Sequence, residues 1–303
     1  MISRRTFLET AAAVAAASRA DAKPRGMFVS LNGSLTGGKA PWPEFVRLAA
    51  KVGYGGADLD LNGAMKEGTG PTNTLFAEAK IRPGVSNLPV PYTGEEAAFQ
   101  AGMKRLADAA PFLAAVNCPR LMAVLPPASA TPKPEYRKLL KDRLSAVSEV
   151  LLRSKVRLGL EFLGPLHFRT RQPHEFIWRM DEALAFAKEC GPNIGLQLDC
   201  WHWHHAGATV ADILAAGKSR IVSVHVSDAK KQPPEEVRDN QRLLPGEGVI
   251  DLMGFFHALK KIGYVDAVSP EPIGRIPADM SAEEGARLGL ESTLAVMRKA
   301  GVA

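Results

Sequence analysis

Cysteine is scarce in this chain, with only three among 303 residues. Cys118, Cys190 and Cys200 are too few and too widely spaced for a disulfide framework, so we expect buried free thiols. Blocks of basic residues are also missing, and the formal net charge of +6 is spread along the chain. These absences exclude a small disulfide-stapled scaffold and argue against nucleic acid as the partner.

Long apolar runs and flexible linkers are also missing after the first 22 residues. No later run approaches the roughly 18 apolar residues that a membrane span requires, which predicts no span in the mature chain. No Gly/Ser/Pro-rich stretch or charged hinge divides the remaining sequence. Its length suits one large α/β domain or two small domains, and the pattern of strands and helices must decide between them.

The first 22 residues differ in character from the rest. The stretch "SRRTFL" at residues 3–8 precedes a mildly apolar, Ala-rich run and the ending Ala20-Asp21-Ala22. An amphipathic first helix is one interpretation, but the segment more closely resembles a twin-arginine (Tat) export signal. That resemblance implies a signal peptide at 1–22, a mature domain at 23–303, the Tat export machinery as a partner and a periplasmic or otherwise extracytoplasmic location.

Short β-type runs alternate with longer helical stretches from residue 26 onward. The eight strand candidates are "GMFVSLN", "GGADLDL", "IRPGVSNL", "PRLMAVL", "VRLGLEF", "NIGLQLD", "RIVSVHVSD" and "DAVSPE". Apolar residues three and four apart predict helices between them, including one through 140–151, one through 176–187 and a closing helix at about 281–299. Eight strand–helix pairs predict an α/β protein with a single (β/α)₈ TIM barrel.

Side-chain alternation in the last four strand candidates predicts which residues point into the barrel. In each strand an apolar set on one face opposes a polar set on the other, because successive side chains of a strand alternate. The polar sets end in Glu161, Asp199, His225 and Glu271. All four are expected near the C-terminal ends of their strands, where barrel enzymes build their sites.

These four side chains in matching register predict a metal site. Any one alone is better explained as a solvated loop residue, a helix cap or a structural histidine. Three carboxylates buried together without a partner would cost several kcal/mol each, and a divalent cation removes that cost. Three carboxylate oxygens and one imidazole suit Mn²⁺, which we expect first, or Mg²⁺, Co²⁺ or Zn²⁺.

The motifs "GLEFLGP", "LDCWHWHHAG", "VHVSDA", "RLLPGEGVIDL" and "GYVDAVSPEP", in this order, resemble the sugar phosphate isomerase/epimerase superfamily. This superfamily has the xylose isomerase-like TIM barrel and is also described as the AP endonuclease 2 family. The resemblance implies that Glu161, Asp199, His225 and Glu271 hold the metal and that the two glutamates form the acid/base pair. It also implies that His202, in an Asp-x-x-His motif, binds a substrate oxygen.

Further substrate contacts are expected around these residues. Lys231 stands where several ketose epimerases carry an arginine, and Arg242, before Pro-Gly-Glu-Gly, could bind substrate or form a structural salt bridge. Trp201 could stack on a sugar ring, as could Trp203 and Phe168, or all three could be packing residues of the barrel rim. Asp60, like Asp58, could accept hydrogen bonds from sugar hydroxyls.

We expect no role in the site for the tandem histidines His204 and His205. The loop after the seventh strand is basic, and it is either solvated or contacts a phosphate through Lys230, Lys231, Arg238 and Arg242.

The predicted function is that of a divalent-metal-dependent carbohydrate isomerase or epimerase. It would abstract a proton next to a carbonyl, pass through an enediolate and use a small-molecule carbohydrate as substrate. A lyase or dehydratase acting on a keto-sugar, an inosose or a 3-keto-glycoside stays open, as does a non-catalytic carbohydrate-binding barrel. Endonuclease IV chemistry is disfavoured, because no histidine precedes His167 and none lies between Ala229 and Leu244. Homo-oligomerisation is left open.

Overall fold

The computed structural model describes residues 26–303, and the expected export signal at 1–22 lies outside this range. The strands are β1 (Phe28–Leu31), β2 (Gly56–Ala57), β3 (Arg82–Pro83), β4 (Ser86–Asn87), β5 (Arg120–Leu125), β6 (Ala128–Ser129), β7 (Arg157–Phe162), β8 (His174–Glu175), β9 (Ile194–Asp199), β10 (Ile221–Val226) and β11 (Ala267–Pro270). The α-helices are α1 (Glu44–Val52), α2 (Leu61–Glu67), α3 (Thr69–Ala79), α4 (Glu96–Ala115), α5 (Lys133–Arg153), α6 (Leu166–Arg169), α7 (Met180–Cys190), α8 (Cys200–His205), α9 (Val210–Ala216), α10 (Leu252–Lys261) and α11 (Ala282–Lys299). Short 3₁₀ helices cover Gly33–Leu35, Lys218–Arg220 and Asp239–Gln241.

The strands form a closed parallel barrel. Neighbours are hydrogen-bonded in the order β3-β2-β1-β11-β10-β9-β7-β5-β4, and every pair in this order is parallel. The two ends of the order, β3 and β4, are separated along the chain only by Gly84 and Val85, so they are halves of one interrupted strand. Eight strand positions therefore surround the axis, which confirms the predicted TIM barrel. Strands β6 and β8 form a separate antiparallel pair.

The interior of the barrel follows the predicted alternation. Leu160, Leu198 and Val224 are fully buried, and the polar residues beside them lie on the opposite, inward face. There the Ser223 hydroxyl donates a hydrogen bond to Gln197 Oε1, across neighbouring strands β10 and β9. Barrel enzymes place their catalytic side chains at the C-terminal ends of the strands, so the site is expected where this polar inward face reaches that end.

Two predicted helices have different outcomes. The closing helix α11 begins after Ser281, which forms a reciprocal capping box with Glu284 as expected for a helix start. The helix predicted through 176–187 begins later, at Met180, because Phe176 belongs to the preceding connection. There its backbone N–H donates to Pro127 O, and its ring packs against Tyr136 with centroids 4.9 Å apart. Phe176 fitted the helical spacing of apolar residues because it is buried, although it does not lie on a helix.

The cysteine expectation is confirmed, since Cys118, Cys190 and Cys200 are all buried and free. Among residues 26–303, no helix combines the length and the hydropathy needed to cross a bilayer.

Candidate active site

Side chains from four consecutive barrel strands converge at the C-terminal mouth. Glu161 lies near the end of β7, Asp199 ends β9, His225 lies near the end of β10 and Glu271 directly follows β11. One potential ligand atom from each lies within 4.8 Å of the others. His225 Nδ1 is 3.2 Å from both Glu161 Oε1 and Glu271 Oε2. The structure thus brings together the four residues predicted to bind metal, and we call them the carboxylate–histidine cluster.

The cluster contains polar atoms that are buried. Glu161 Oε1 and both ring nitrogens of His225 are buried, and although Nδ1 lies 3.2 Å from two carboxylate oxygens, none of the three atoms makes a well-oriented hydrogen bond among the described residues. Buried polar atoms are normally satisfied, so this group requires an explanation. Carboxylate oxygens and an imidazole nitrogen are common ligands of divalent cations. The donor set therefore fits a divalent metal ion.

Arg242 supplies a positive charge from the side of the cluster. Its Nη1 donates to Asp199 Oδ2 at 2.6 Å and to Glu271 Oε2 at 3.0 Å. Its Nε and Nη2 donate to Asp239 Oδ1 at 3.0 and 2.8 Å. The guanidinium is buried, which agrees with a structural salt bridge and leaves it committed to protein carboxylates. These contacts agree with the salt-bridge alternative, and the binding of substrate by Arg242 stays a prediction.

The two glutamates of the cluster have different electrostatic surroundings. Burial raises the pKa of Glu161 to about 7, despite the opposing effect of His225. Burial would also raise the pKa of Glu271, but His225 and Arg242 outweigh it and the pKa is lowered. Burial opposes the charged form of Asp199 as well, and Arg242 nevertheless brings its pKa down to about 2. Two carboxylates whose pKa values are shifted in opposite directions are suited to act as an acid and a base.

His202 lies at the edge of the cluster on α8. Its Nε2 is 3.2 Å from Arg242 Nη2, and since a guanidinium nitrogen can only donate, Nε2 is the acceptor. Burial lowers the pKa of His202 to about 3, so the ring is neutral and Nδ1 carries the proton. Nδ1 is buried without a hydrogen-bond partner in the described part of the chain. The predicted contact with a substrate oxygen therefore remains a prediction, with Nδ1–H as the donor.

The two tryptophans are buried. Trp201 is only 2% exposed, and the guanidinium of Arg242 lies 4.7 Å from its ring centroid. Trp203 is buried and donates from Nε1 to Thr209 O at 3.2 Å. Both rings are packed in the core, in agreement with the packing alternative, and stacking of Trp201 on a sugar stays a prediction. Phe168 is only half-buried.

A cavity of about 460 Å³ opens beside the cluster, and His225, Glu271, Asp58 and Asp60 contribute to its wall. Asp60 is exposed and caps α2, with Oδ1 accepting from the backbone N–H of Asn62 at 3.0 Å. Its predicted contact with sugar hydroxyls is thus compatible with its position but competes with a structural role.

Asp58 forms a hydrogen-bond network that the sequence did not reveal. Its Oδ1 accepts from the hydroxyls of Ser30 at 2.8 Å and Ser269 at 3.1 Å, and Oδ2 accepts from Asn32 Nδ2 at 3.3 Å. Both serines occupy inward positions, and Ser269 opposes Val268 in the alternating pattern. The alternation alone could have placed Ser269 on the inward face. Its hydrogen bond to Asp58 could not be predicted, because it forms only when the barrel closes.

Lys231 lies away from the 460 Å³ cavity. It is exposed and lines a second cavity of about 600 Å³ together with His204 and His205. The two cavities share no lining residue. Lys231 therefore lines a different cavity from His225 and Glu271, and its contact with substrate stays a prediction.

Sequence comparison finds inosose isomerases among the relatives of this chain. The inosose isomerase of Halalkalibacterium halodurans is 31% identical over 187 residues, which cover 61% of this chain and 64% of the relative. The inosose isomerase of Bacillus subtilis is 29% identical over 168 residues, covering 55% of this chain and 58% of the relative. The matched region therefore spans less than two thirds of these curated relatives.

Structural comparison finds the same barrel in solved proteins. A xylose isomerase domain protein from Alicyclobacillus acidocaldarius superposes with a TM-score of 0.83 at 27% identity, covering 91% of this chain and 99% of the other. The IOLI protein with a bound zinc atom has a TM-score of 0.76 at 24% identity, covering 90% and 99%. At 24% identity, the similarity to the IOLI protein shows only that the two chains share a fold.

A family profile described as xylose isomerase-like TIM barrel matches residues 46–296, which include every member of the carboxylate–histidine cluster. The match spans most of the chain and agrees with the closed parallel barrel. The chain belongs to the xylose isomerase-like TIM barrel family.

Proposed function

We propose that this protein is a divalent-metal-dependent carbohydrate isomerase or epimerase. The observation that carries the proposal is the carboxylate–histidine cluster, whose ligand atoms lie within 4.8 Å of one another and include buried atoms that make no well-oriented hydrogen bond within residues 26–303. Family membership and the similarity to inosose isomerases support a keto-polyol such as an inosose, or a related ketose, as the substrate class.

Glu161, Asp199, His225 and Glu271 would hold the ion. When bound, a divalent cation supplies electrostatic stabilisation for negative charge that develops on a substrate carbonyl oxygen. Its identity among Mn²⁺, Mg²⁺, Co²⁺ and Zn²⁺ is not set by these four ligands, because three carboxylates and one imidazole suit all of them.

The two glutamates are the proposed acid/base pair. Glu161 and Glu271 come from strand positions on either side of His225, whose Nδ1 is 3.2 Å from a carboxylate oxygen of each. One carboxylate takes the proton next to the substrate carbonyl, which leaves an enediolate, and the other returns a proton. Return to the same carbon from the opposite face inverts that centre, whereas return to the neighbouring carbon isomerises the substrate. His202 Nδ1–H would orient a substrate oxygen.

The 460 Å³ cavity is the proposed substrate site. Its size lies within the roughly 300–1,000 Å³ range of small-ligand pockets. Carboxylate and amide groups of Asp58, Asp60, Asn32 and Asn87 line it, and these can accept or donate hydrogen bonds to several hydroxyls.

Solvent exchange tests the proposal. Metal-loaded protein is incubated with inososes and ketohexoses in D₂O, and ¹H NMR follows loss of the proton next to the carbonyl. We expect exchange together with an epimer or isomer, and we expect Glu161→Gln and Glu271→Gln each to slow it by roughly 10²–10⁴-fold. Glu149→Gln, an exposed position on α5, is the matched control and should retain the wild-type rate.

Two results would refute the assignment. Accumulation of a dehydrated or aglycone-free product would assign the site to elimination instead. The absence of exchange from every substrate, with metal shown to be bound, would favour a binding protein over an enzyme.

A further inference from the structure

The charged side chains that line the 600 Å³ cavity near the barrel mouth are all positive. Its lining includes the basic side chains of Arg169, Lys230 and Lys231 and contains no carboxylate. Glu235 and Glu236 follow on the same loop but do not contribute to the wall. Three positive charges around one cavity repel one another, and an anion in the cavity would relieve that repulsion.

The basic side chains have little compensation from the protein. Within residues 26–303, none of Arg169, Lys230 and Lys231 forms a salt bridge. Arg169 lies with its guanidinium carbon 3.7 Å from the ring centroid of Trp178, and its Nε is buried without a hydrogen-bond partner among these residues. Burial lowers the pKa of Arg169, and Glu175, outside the cavity wall, offsets this in part. The arginine is thus held in place by stacking while a donor is left free.

Neutral donors and apolar groups complete the wall. His204, His205 and the Gln232 amide provide polar atoms, and Leu166 and Val237 provide apolar surface. A carboxylate or phosphate accepts several charge-assisted hydrogen bonds from such donors, and a short carbon skeleton can pack against the apolar side. The tandem histidines, which have no place in the carboxylate–histidine cluster, thereby acquire a ligand-facing position.

The cavity is separate from the carboxylate–histidine cluster but lies close to Arg242, which forms salt bridges with two carboxylates of the cluster. Trp201 lies between them, with its ring 4.5 Å from that of His205 and 4.7 Å from the guanidinium carbon of Arg242. We propose that this cavity is a second binding site, specific for a small anion that carries a carboxylate or phosphate group. Arg169, Lys230 and Lys231 bind the charge, and His204 and His205 donate further hydrogen bonds.

Calorimetric titration of the full chain tests this site. The protein is first treated with EDTA, so that no probe can bind through a metal ion, and is then titrated with inorganic phosphate and, separately, with D-glucuronate. We expect saturable binding of at least one probe. The Lys230→Gln/Lys231→Gln double variant should bind roughly tenfold more weakly or worse, because hydrogen bonds to charged groups are lost. Both lysines are exposed, so the variant should fold, which circular dichroism checks.

Control variants distinguish a specific binding site from non-specific attraction of anions to positive charge. Lys260→Gln/Lys261→Gln removes the same charge from an exposed lysine pair on α10 and should leave the affinity unchanged. His225→Ala should also leave it unchanged, since that residue lies in the other cavity. Tighter binding of phosphate or of glucuronate identifies which anionic group the site prefers. Failure of both probes to bind, or equal weakening in the two lysine double variants, would overturn the proposal.

Discussion

Arg242 Nη1 donates to Asp199 Oδ2 at 2.6 Å, in a pair whose side chains are 2% and 0% exposed. The other oxygen of Asp199 accepts from the backbone N–H of Trp201 at 2.7 Å, which caps α8. One carboxylate therefore joins the loop after β10 to the helix that carries His202. This connection places a buried positive charge next to three acidic side chains and fixes the position of His202, the histidine proposed to contact substrate.

Replacement of this arginine should destabilise the protein strongly. Arg242→Ala leaves the carboxylates of Asp199 and Glu271 without the positive charge that pairs with them. Loss of one partner from a buried ion pair typically lowers the free energy of unfolding by about 3–5 kcal/mol. Urea unfolding followed by circular dichroism measures the change in the free energy of unfolding. Arg238→Ala, an exposed arginine on the same loop, should change it by less than about 0.5 kcal/mol. Equal effects of the two substitutions would show that the Arg242 network contributes no special stability.

A glycine next to α8 allows the close approach of two chain segments. A Cβ at Gly164 would lie 2.4 Å from His202 O and 2.6 Å from Ala206 N, which is too close without a backbone shift. Gly164→Ala should therefore displace α8 and cost about 1–3 kcal/mol. Thermal unfolding measures the loss, and reduced exchange activity would report the displacement of His202.

Gly26→Ala is the control for that substitution. Gly26 is exposed before β1, and an added Cβ there meets no atom within 4 Å beyond its two chain neighbours. The control should change the free energy of unfolding by less than about 0.5 kcal/mol, because the position is on the surface. Wild-type stability and activity in Gly164→Ala would contradict the steric account.

We also propose that the first 22 residues direct export by the twin-arginine pathway, on the basis of the "SRRTFL" motif, the Ala-rich run after it and the ending Ala20-Asp21-Ala22. An Arg4→Lys/Arg5→Lys double variant should then accumulate inside the cytoplasm with its leader attached. Cell fractionation and mass determination of the mature amino terminus measure both effects. Arg19→Lys, outside the motif, should be exported normally. Unchanged fractionation of the double variant would refute a twin-arginine signal.

The metal-site geometry could be predicted because the information is local. Period-two alternation identifies the inward face of a strand from a few residues, so Glu161, Asp199, His225 and Glu271 could be assigned without knowledge of their neighbours. A parallel barrel then brings the C-terminal ends of consecutive strands together. The same reasoning failed to anticipate the interruption of the third strand at Gly84 and Val85.

The surroundings of the cluster could not be predicted from local pattern. Trp201 and Trp203 lie on a short helix whose burial depends on Arg242 and α10, both distant in the sequence. Lys231 shares its cavity with Arg169 and His205, which end the short helices α6 and α8. Which cavity a side chain lines is therefore decided by tertiary packing, which the local sequence pattern does not encode.

Binding of a divalent ion by the carboxylate–histidine cluster is the central claim, and calorimetric titration of Mn²⁺ into EDTA-treated full-length protein tests it most directly. We predict saturable binding of about one ion per chain, abolished in Asp199→Asn and His225→Ala because each removes a ligand. The exposed substitutions Asp108→Asn and His257→Ala should leave binding intact. The absence of binding, or binding that is insensitive to Asp199→Asn and His225→Ala, would contradict the account.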